Sequence, residues 1–190
     1  MRGSLTELPS ASPSPTATRR CAPAGADCPT PPGGRAFLLG QLAVALAGDG
    51  ARHEALLALG RAERFLDRAT GPGDAAVGVF HQAALLRQQA LVRELLGDLT
   101  GAVAALRCSL PHRPVEEARS HAVVLADLAT LLERTGRLTE AAATWNDFLD
   151  LRPGIHSARV DRAFTAMQTR LRPHVAQPSV RDLLERAAEE

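Results

Sequence analysis

The sequence predicts an all-α protein, a row of about three antiparallel helix hairpins closed at its C-terminal end by capping helices. Three observations carry this. The first is residue choice: 45% of the 190 residues are hydrophobic and most of these are Ala and Leu, whereas aromatics make up 3%, Tyr is absent and Ile155 is the only isoleucine. A chain so poor in β-branched and aromatic side chains, and so rich in Ala, Leu, Arg and Glu, favours helices over sheet. The second is an abrupt change of composition near residue 34, and the third is a helix-turn-helix pattern that returns three times.

Residues 1–34 hold seven of the 13 prolines, with Ser, Thr and Gly between them. Such a segment cannot bury enough apolar surface to offset its ordering entropy, so it is expected to be a disordered leader ending at Gly33 and Gly34. Residues 35–190 form the helical domain. Within them the glycines Gly50, Gly97 and Gly136 mark three equivalent turns. Five residues after each stands Ala55, Ala102 or Ala141, and seven before each stands Ala43, Ala90 or Ala129. Small side chains there let the two helices of a hairpin approach closely. Larger apolar residues precede the turn at helical spacing, Leu39, Leu42 and Leu46 in the first unit and Leu125, Leu128 and Leu132 in the third. Leu59, Leu106 and Trp145 follow nine residues after the glycines, and Pro114 and Pro153 are expected to stop the second and third units. Between the first two units the breaker Thr70-Gly71-Pro72-Gly73 precedes Asp74, placed to cap a helix.

Two further helices close the domain. Val160, Ala163, Phe164, Met167 and Leu171 make one apolar stripe and Val180, Leu183, Leu184 and Ala187 the next, with Ser179 as its expected N-cap. The polar outer residues of the last helix suit a cap that ends a repeat array.

Composition excludes several functions. A formal net charge of +1, with no Lys among the 22 basic residues, gives no footing for DNA binding by this chain. The apolar stretches near Phe37–Ala47 and Ala122–Leu132 are too short and too interrupted to span a bilayer, so no membrane partner and a cytoplasmic location are expected. Arg19-Arg20 lacks the apolar run of an export signal. Cys21, Cys28 and Cys108 are odd in number and without C-x-x-C spacing, which points neither to a disulfide framework nor to a metal site. Cys108 with His112 and His121 falls short of a zinc ligand set. No catalytic constellation or phosphate loop is present, so the chain is read as a non-enzyme with no cofactor.

The hairpin unit, with small residues at its close-packing positions, Gly at its turn and Pro near its end, resembles the tetratricopeptide repeat. The intervals from Gly50 to Gly97 and from Gly97 to Gly136 exceed that repeat's length of about 34 residues. Further, Gly136-Arg-Leu-Thr-Glu-Ala-Ala-Ala-Thr-Trp-Asn-Asp-Phe-Leu149, Ser157-Ala-Arg-Val-Asp161, Leu171-Arg-Pro-His174 and Val180-Arg-Asp-Leu-Leu-Glu-Arg186 are similar to the C-terminal region of helix-turn-helix transcriptional regulators of high-GC Gram-positive bacteria. The resemblance implies a sensor or oligomerisation role without a DNA-binding module; the alternative is a scaffold in an assembly unrelated to transcription.

By repeat position, the resemblance also implies a concave groove for a protein or peptide partner, with self-association as a second use. Its lining would be Phe37, Val44 and Ala47, then Arg87, Leu91 and Glu94, then Val123, Ala126, Thr130 and Glu133. The competing expectation is that the array's own ends cover this groove. With no Lys and with Asn146 as its single Asn, the chain does not resemble the repeats that clamp a terminal carboxylate. Gln89 and Arg93 stand where apolar residues are expected: either this face is exposed on an overlong helix, or flanking helices cover it and the guanidinium requires a carboxylate or ligand partner. Arg107, Arg113, Arg119 and Arg134 read as solvated surface, and Glu133 as an i,i+4 partner of Arg137.

Overall fold

Helix begins where the sequence turns from proline to alanine and leucine. A computed structural model describes residues 32–68 and 80–189; the expected leader up to residue 31 and the Thr70–Asp74 breaker lie outside the described residues. Eight α-helices follow one another with no strand among the described residues. They are α1 (Pro32–Gly48), α2 (Arg52–Arg68), α3 (Gln82–Leu95), α4 (Leu99–Ser109), α5 (Ala118–Arg134), α6 (Leu138–Leu151), α7 (Ala158–Leu171) and α8 (Pro178–Ala188). The protein is therefore all-α. α1 takes in Gly33 and Gly34, which the sequence places in the leader, and Gly33 is buried.

Three pairs, α1 with α2, α3 with α4 and α5 with α6, are joined by the same turn. Gly50, Gly97 and Gly136 sit at φ 77°, 82° and 75°, a left-handed conformation that costs any other residue a Cβ clash. Around each, the hydrogen bonds repeat. Ala51 N–H donates to Leu46 O at 2.9 Å, Asp98 N–H to Arg93 O at 2.8 Å and Arg137 N–H to Leu132 O at 2.9 Å, each spanning five residues. The glycine N–H groups donate to Ala47 O, Glu94 O and Glu133 O at 3.1, 3.0 and 2.9 Å. This double bond pattern is the Schellman cap, which satisfies the last carbonyls of a helix and reverses the chain. A Gly136→Ala variant is expected to lose about 1–2 kcal/mol, the cost of a left-handed alanine, read as a lower midpoint in urea unfolding with an unchanged slope.

The six alanines at the paired positions, Ala43, Ala55, Ala90, Ala102, Ala129 and Ala141, are all buried, as close helix approach requires. Three apolar clusters then run along the array. The first joins Ala43, Ala47, Leu59 and Ala62 to Leu85 and Val92 of α3. The second joins Val103 and Leu106 of α4 to Val124, Leu128, Leu131 and Leu132 of α5. The third seats Trp145, Phe148 and Leu149 of α6 against Val160, Met167 and Leu171 of α7 and Val180, Leu183 and Ala187 of α8. Each hairpin thus buries one side against the next, and α7 and α8 close the far end.

Several local expectations are corrected. Leu42, one of the apolar residues at helical spacing ahead of the first turn, is 49% exposed. α4 stops at Ser109, before Pro114; Pro111 falls first, inside a 3-10 turn over Leu110–His112. α8 is capped by Gln177, not Ser179, because Pro178 takes the first helical position, where its missing N–H costs nothing. α1 and α3 approach closely at Gly40: a Cβ there would lie 1.7 Å from Gln88 Oε1, so glycine makes room for the glutamine head.

Candidate functional site

The first helices of the hairpins, α1, α3 and α5, border a groove of about 830 Å3 that also reaches Ser157 and Arg159 at the start of α7. Its apolar lining is Phe37, Phe80, Ala84, Leu91 and Val123; its polar lining includes Arg87, Gln88, Arg113, Glu117 and Arg119. Phe37 and Phe80 meet edge to face at a centroid distance of 5.6 Å, which fixes one end of the groove.

Of the residues placed there by repeat position, Phe37, Arg87, Leu91 and Val123 line the groove. The others go elsewhere. Val44 is half-buried against the first cluster, and Ala47 lies within it. Glu94 pairs with Arg134 across α3 and α5. Ala126 is buried in the third cluster. Thr130 and Glu133 are held by α7: Arg170 Nη1 donates to Thr130 Oγ1 at 3.1 Å and Arg170 Nε to Glu133 Oε1 at 3.2 Å. α7, the first of the two closing helices, therefore meets the C-terminal half of α5, and Glu133 pairs with Arg170 and not with Arg137, which binds Glu140 instead.

α3 is tied to α5 by ion pairs. Arg87 reaches Asp127 with both Nε, at 3.0 Å, and Nη2, at 2.7 Å, a two-pronged contact that orients the guanidinium beside the groove. Gln89 and Arg93 do not form a bare exposed face. Gln89 Nε2 donates to Glu63 Oε1 of α2, and Arg93 Nη1 to the Gly101 carbonyl of α4 at 3.2 Å, so both are half-buried connectors.

The polar floor of the groove was not foreseen. Arg113, expected on the surface, has a side chain only 3% exposed. Its Nη1 donates to Glu117 Oε2 at 3.0 Å, and its Nη2 lies 3.3 Å from both the Ala83 carbonyl and Ser109 Oγ. Ser109 Oγ itself donates to Ala83 O at 2.9 Å, and His81 Nε2 lies 2.9 Å from Glu117 Oε1. Burial pushes the Arg113 pKa down and the neighbouring Glu117 carboxylate opposes it. Two lining residues keep buried polar atoms without a hydrogen-bond partner in the protein, Gln88 Oε1 and Arg113 Nε. The sequence signal for this floor was slight: Arg113 and Glu117 are four apart, but both follow the Pro111 and Pro114 breaks that mark a loop.

His121, at the start of α5, has its pKa lowered from the ordinary 6.5, first by burial and then by the Arg113 charge, against a small opposing pull from Asp147. The unfolded chain therefore takes up a proton here before the folded one does. Stability falls as pH drops below 6.5 toward the lowered folded value, and is intact above it. A His121→Gln variant is expected to flatten that part of the stability–pH curve, measured by urea unfolding between neutral and mildly acidic pH.

Cys108 is exposed, and His112 Nδ1 lies 2.8 Å from the Cys108 carbonyl, a helix-end contact. Among the described residues no group of three or more His, Cys, Asp or Glu is placed to hold a metal ion, and no helix is long and apolar enough to cross a membrane. No family model, curated protein or solved structure matches the chain.

Proposed function

We propose that the chain is a tetratricopeptide-like interaction domain whose groove seats a peptide segment of another protein. On this reading it acts as the sensor or oligomerisation half of a transcriptional-regulator-like protein. The repeated Schellman turns, the paired buried alanines and the three successive clusters support the solenoid arrangement. The likeness of its C-terminal third to regulators supports the regulatory context.

One observation carries the binding role: an apolar groove bordered by the first helices of all three hairpins, with charged and polar side chains along its lining. Leu91, Ala84, Val123 and the Phe37–Phe80 pair offer surface for apolar side chains. Arg87, Arg119 and Ser120 add polar groups along the same lining, and a peptide backbone brings one donor and one acceptor with each residue. An extended or amphipathic peptide matches both features, as helix-lined grooves generally require.

The test is a selection from a random-peptide display library on the immobilised full chain, followed by affinity measurements on Leu91→Glu and Val123→Arg variants. Selected peptides are expected to lose at least about tenfold in affinity to each variant, or about 1.4 kcal/mol, with the helical circular dichroism unchanged. Peptides that bind both variants as well as the parent would rule the groove out as their site.

A further inference from the structure

The repeat frame gives each helix face a job. Twelve, eight and five residues before the turn glycine stand Leu85, Gln89 and Val92 in the second hairpin, and Val124, Leu128 and Leu131 in the third. All six look back to the preceding hairpin. Leu85 and Val92 are fully buried in the cluster built on α1 and α2, and Gln89 bonds to Glu63 of α2. Val124, Leu128 and Leu131 pack with Val103 and Leu106 of α4. In the first hairpin the same positions are Leu38, Leu42 and Ala45, spaced four and three apart and so on one face. No hairpin precedes them in the described structure: Leu38 is 58% exposed, Leu42 49%, and Ala45 is exposed as well.

The rest of α1 agrees. From Ala36 to Gly48 it carries no charged residue, and Gln41 is its one polar side chain. A helix at the edge of an array ordinarily turns charges outward, whereas one that is apolar all round is buried. The other end of the array is finished in that ordinary way. α8 buries Val180, Leu183 and Ala187 and exposes Arg181, Asp182 and Glu185.

We propose that a second copy of this chain covers the Leu38–Leu42–Ala45 face, α1 against α1 about a two-fold axis. The asymmetry of the two ends selects this occupant and this symmetry. Head-to-tail stacking would set an apolar face on the polar outside of α8 and would continue into an open filament; head-to-head pairing matches apolar with apolar and closes on itself. Residues 1–31 carry only Met1, Leu5 and Leu8 as non-proline apolar side chains larger than Ala and Cys, so this segment does not supply the core of a hairpin. This inference does not rest on the peptide-binding reading, since it uses a different face and a different measurement.

Sedimentation velocity of the full chain, from about 1 to about 100 µM, tests it, because self-association is set by mass action. The expected species is a dimer of twice the monomer mass, and Leu38→Glu with Leu42→Glu is expected to leave a folded monomer. Should that double variant fail to fold, Leu42→Gln alone is expected to raise the dimer dissociation constant by at least about tenfold, since a central apolar contact of an interface is lost. A parent chain that stays monomeric throughout, a dimer that survives both glutamates with its helices intact, or an unchanged dissociation constant in Leu42→Gln would each overturn the proposal.

Discussion

Replacing Phe148 by alanine is expected to cost about 3–5 kcal/mol, the usual range for truncating a buried aromatic, and so to remove much of the fold's margin. Phe148 is fully buried, and its ring meets Trp145 edge to face at 5.2 Å between centroids. The two sit where α6 meets the closing helices, among Met167, Leu171, Val180 and Leu183. Removing the ring opens a cavity that the neighbours cannot refill, because they are held by three different helices. Trp145 is the chain's single tryptophan, so its fluorescence reports unfolding of this junction directly. Trp145→Phe is expected to cost less than the lost ring area alone suggests. The indole Nε1 is buried without an acceptor, and its removal deletes an unpaired donor along with the lost contacts. A loss greater than the lost area accounts for would show that the indole is paired in solution.

Glu117→Ala is expected to be nearly as damaging, at about 3–5 kcal/mol, because it strands the Arg113 guanidinium in the interior. Arg113 is 3% exposed and Glu117 15%, so water cannot take over the lost bond without opening the contact between α3 and the turn ahead of α5. The paired variant Arg113→Met with Glu117→Leu is expected to recover to within about 1 kcal/mol of the parent, since a buried ion pair is often matched by apolar residues of similar size. His81, left without Glu117, is partly exposed and can turn to solvent. Urea unfolding of the three proteins checks this, and a double variant no better than Glu117→Ala would mean that Glu117 acts through His81 instead.

These two sites differ in how far they were legible. The hairpin turns were readable because a glycine forced to positive φ, and alanines forced by close approach, leave marks at single positions that repeat along the chain. The Trp145 and Phe148 core followed from helical spacing. The groove floor was not readable. Arg113 sits behind two prolines and looks like loop, and what buries it is the Ala83 carbonyl, 30 residues earlier in the chain. Thr130 and Glu133 were assigned to an open groove because nothing in α5 announces Arg170, which reaches them from α7. Leu42 carries the same spacing from its turn as Leu128, which is interior; the position faces the preceding hairpin, and the first hairpin has none in the described structure. Faces internal to a hairpin are thus encoded locally, while faces between hairpins depend on residues 26 to 40 positions away.

Arg107 and Arg137 show the same division at the surface. Both reach Glu140, at 2.5 Å and 2.6 Å, and together hold its carboxyl below the ordinary carboxylate range by hydrogen bonding. The Arg137 contact is local, three residues along α6; the Arg107 contact joins α4 to α6 and depends on how the hairpins stack.

Backbone chemical-shift mapping of a display-selected peptide on the isotope-labelled full chain tests the central claim most directly. The perturbed amides are expected to gather around Phe37, Ala84, Leu91 and Val123. Perturbations confined to α2, α4 and α6, with those residues unmoved, would contradict it.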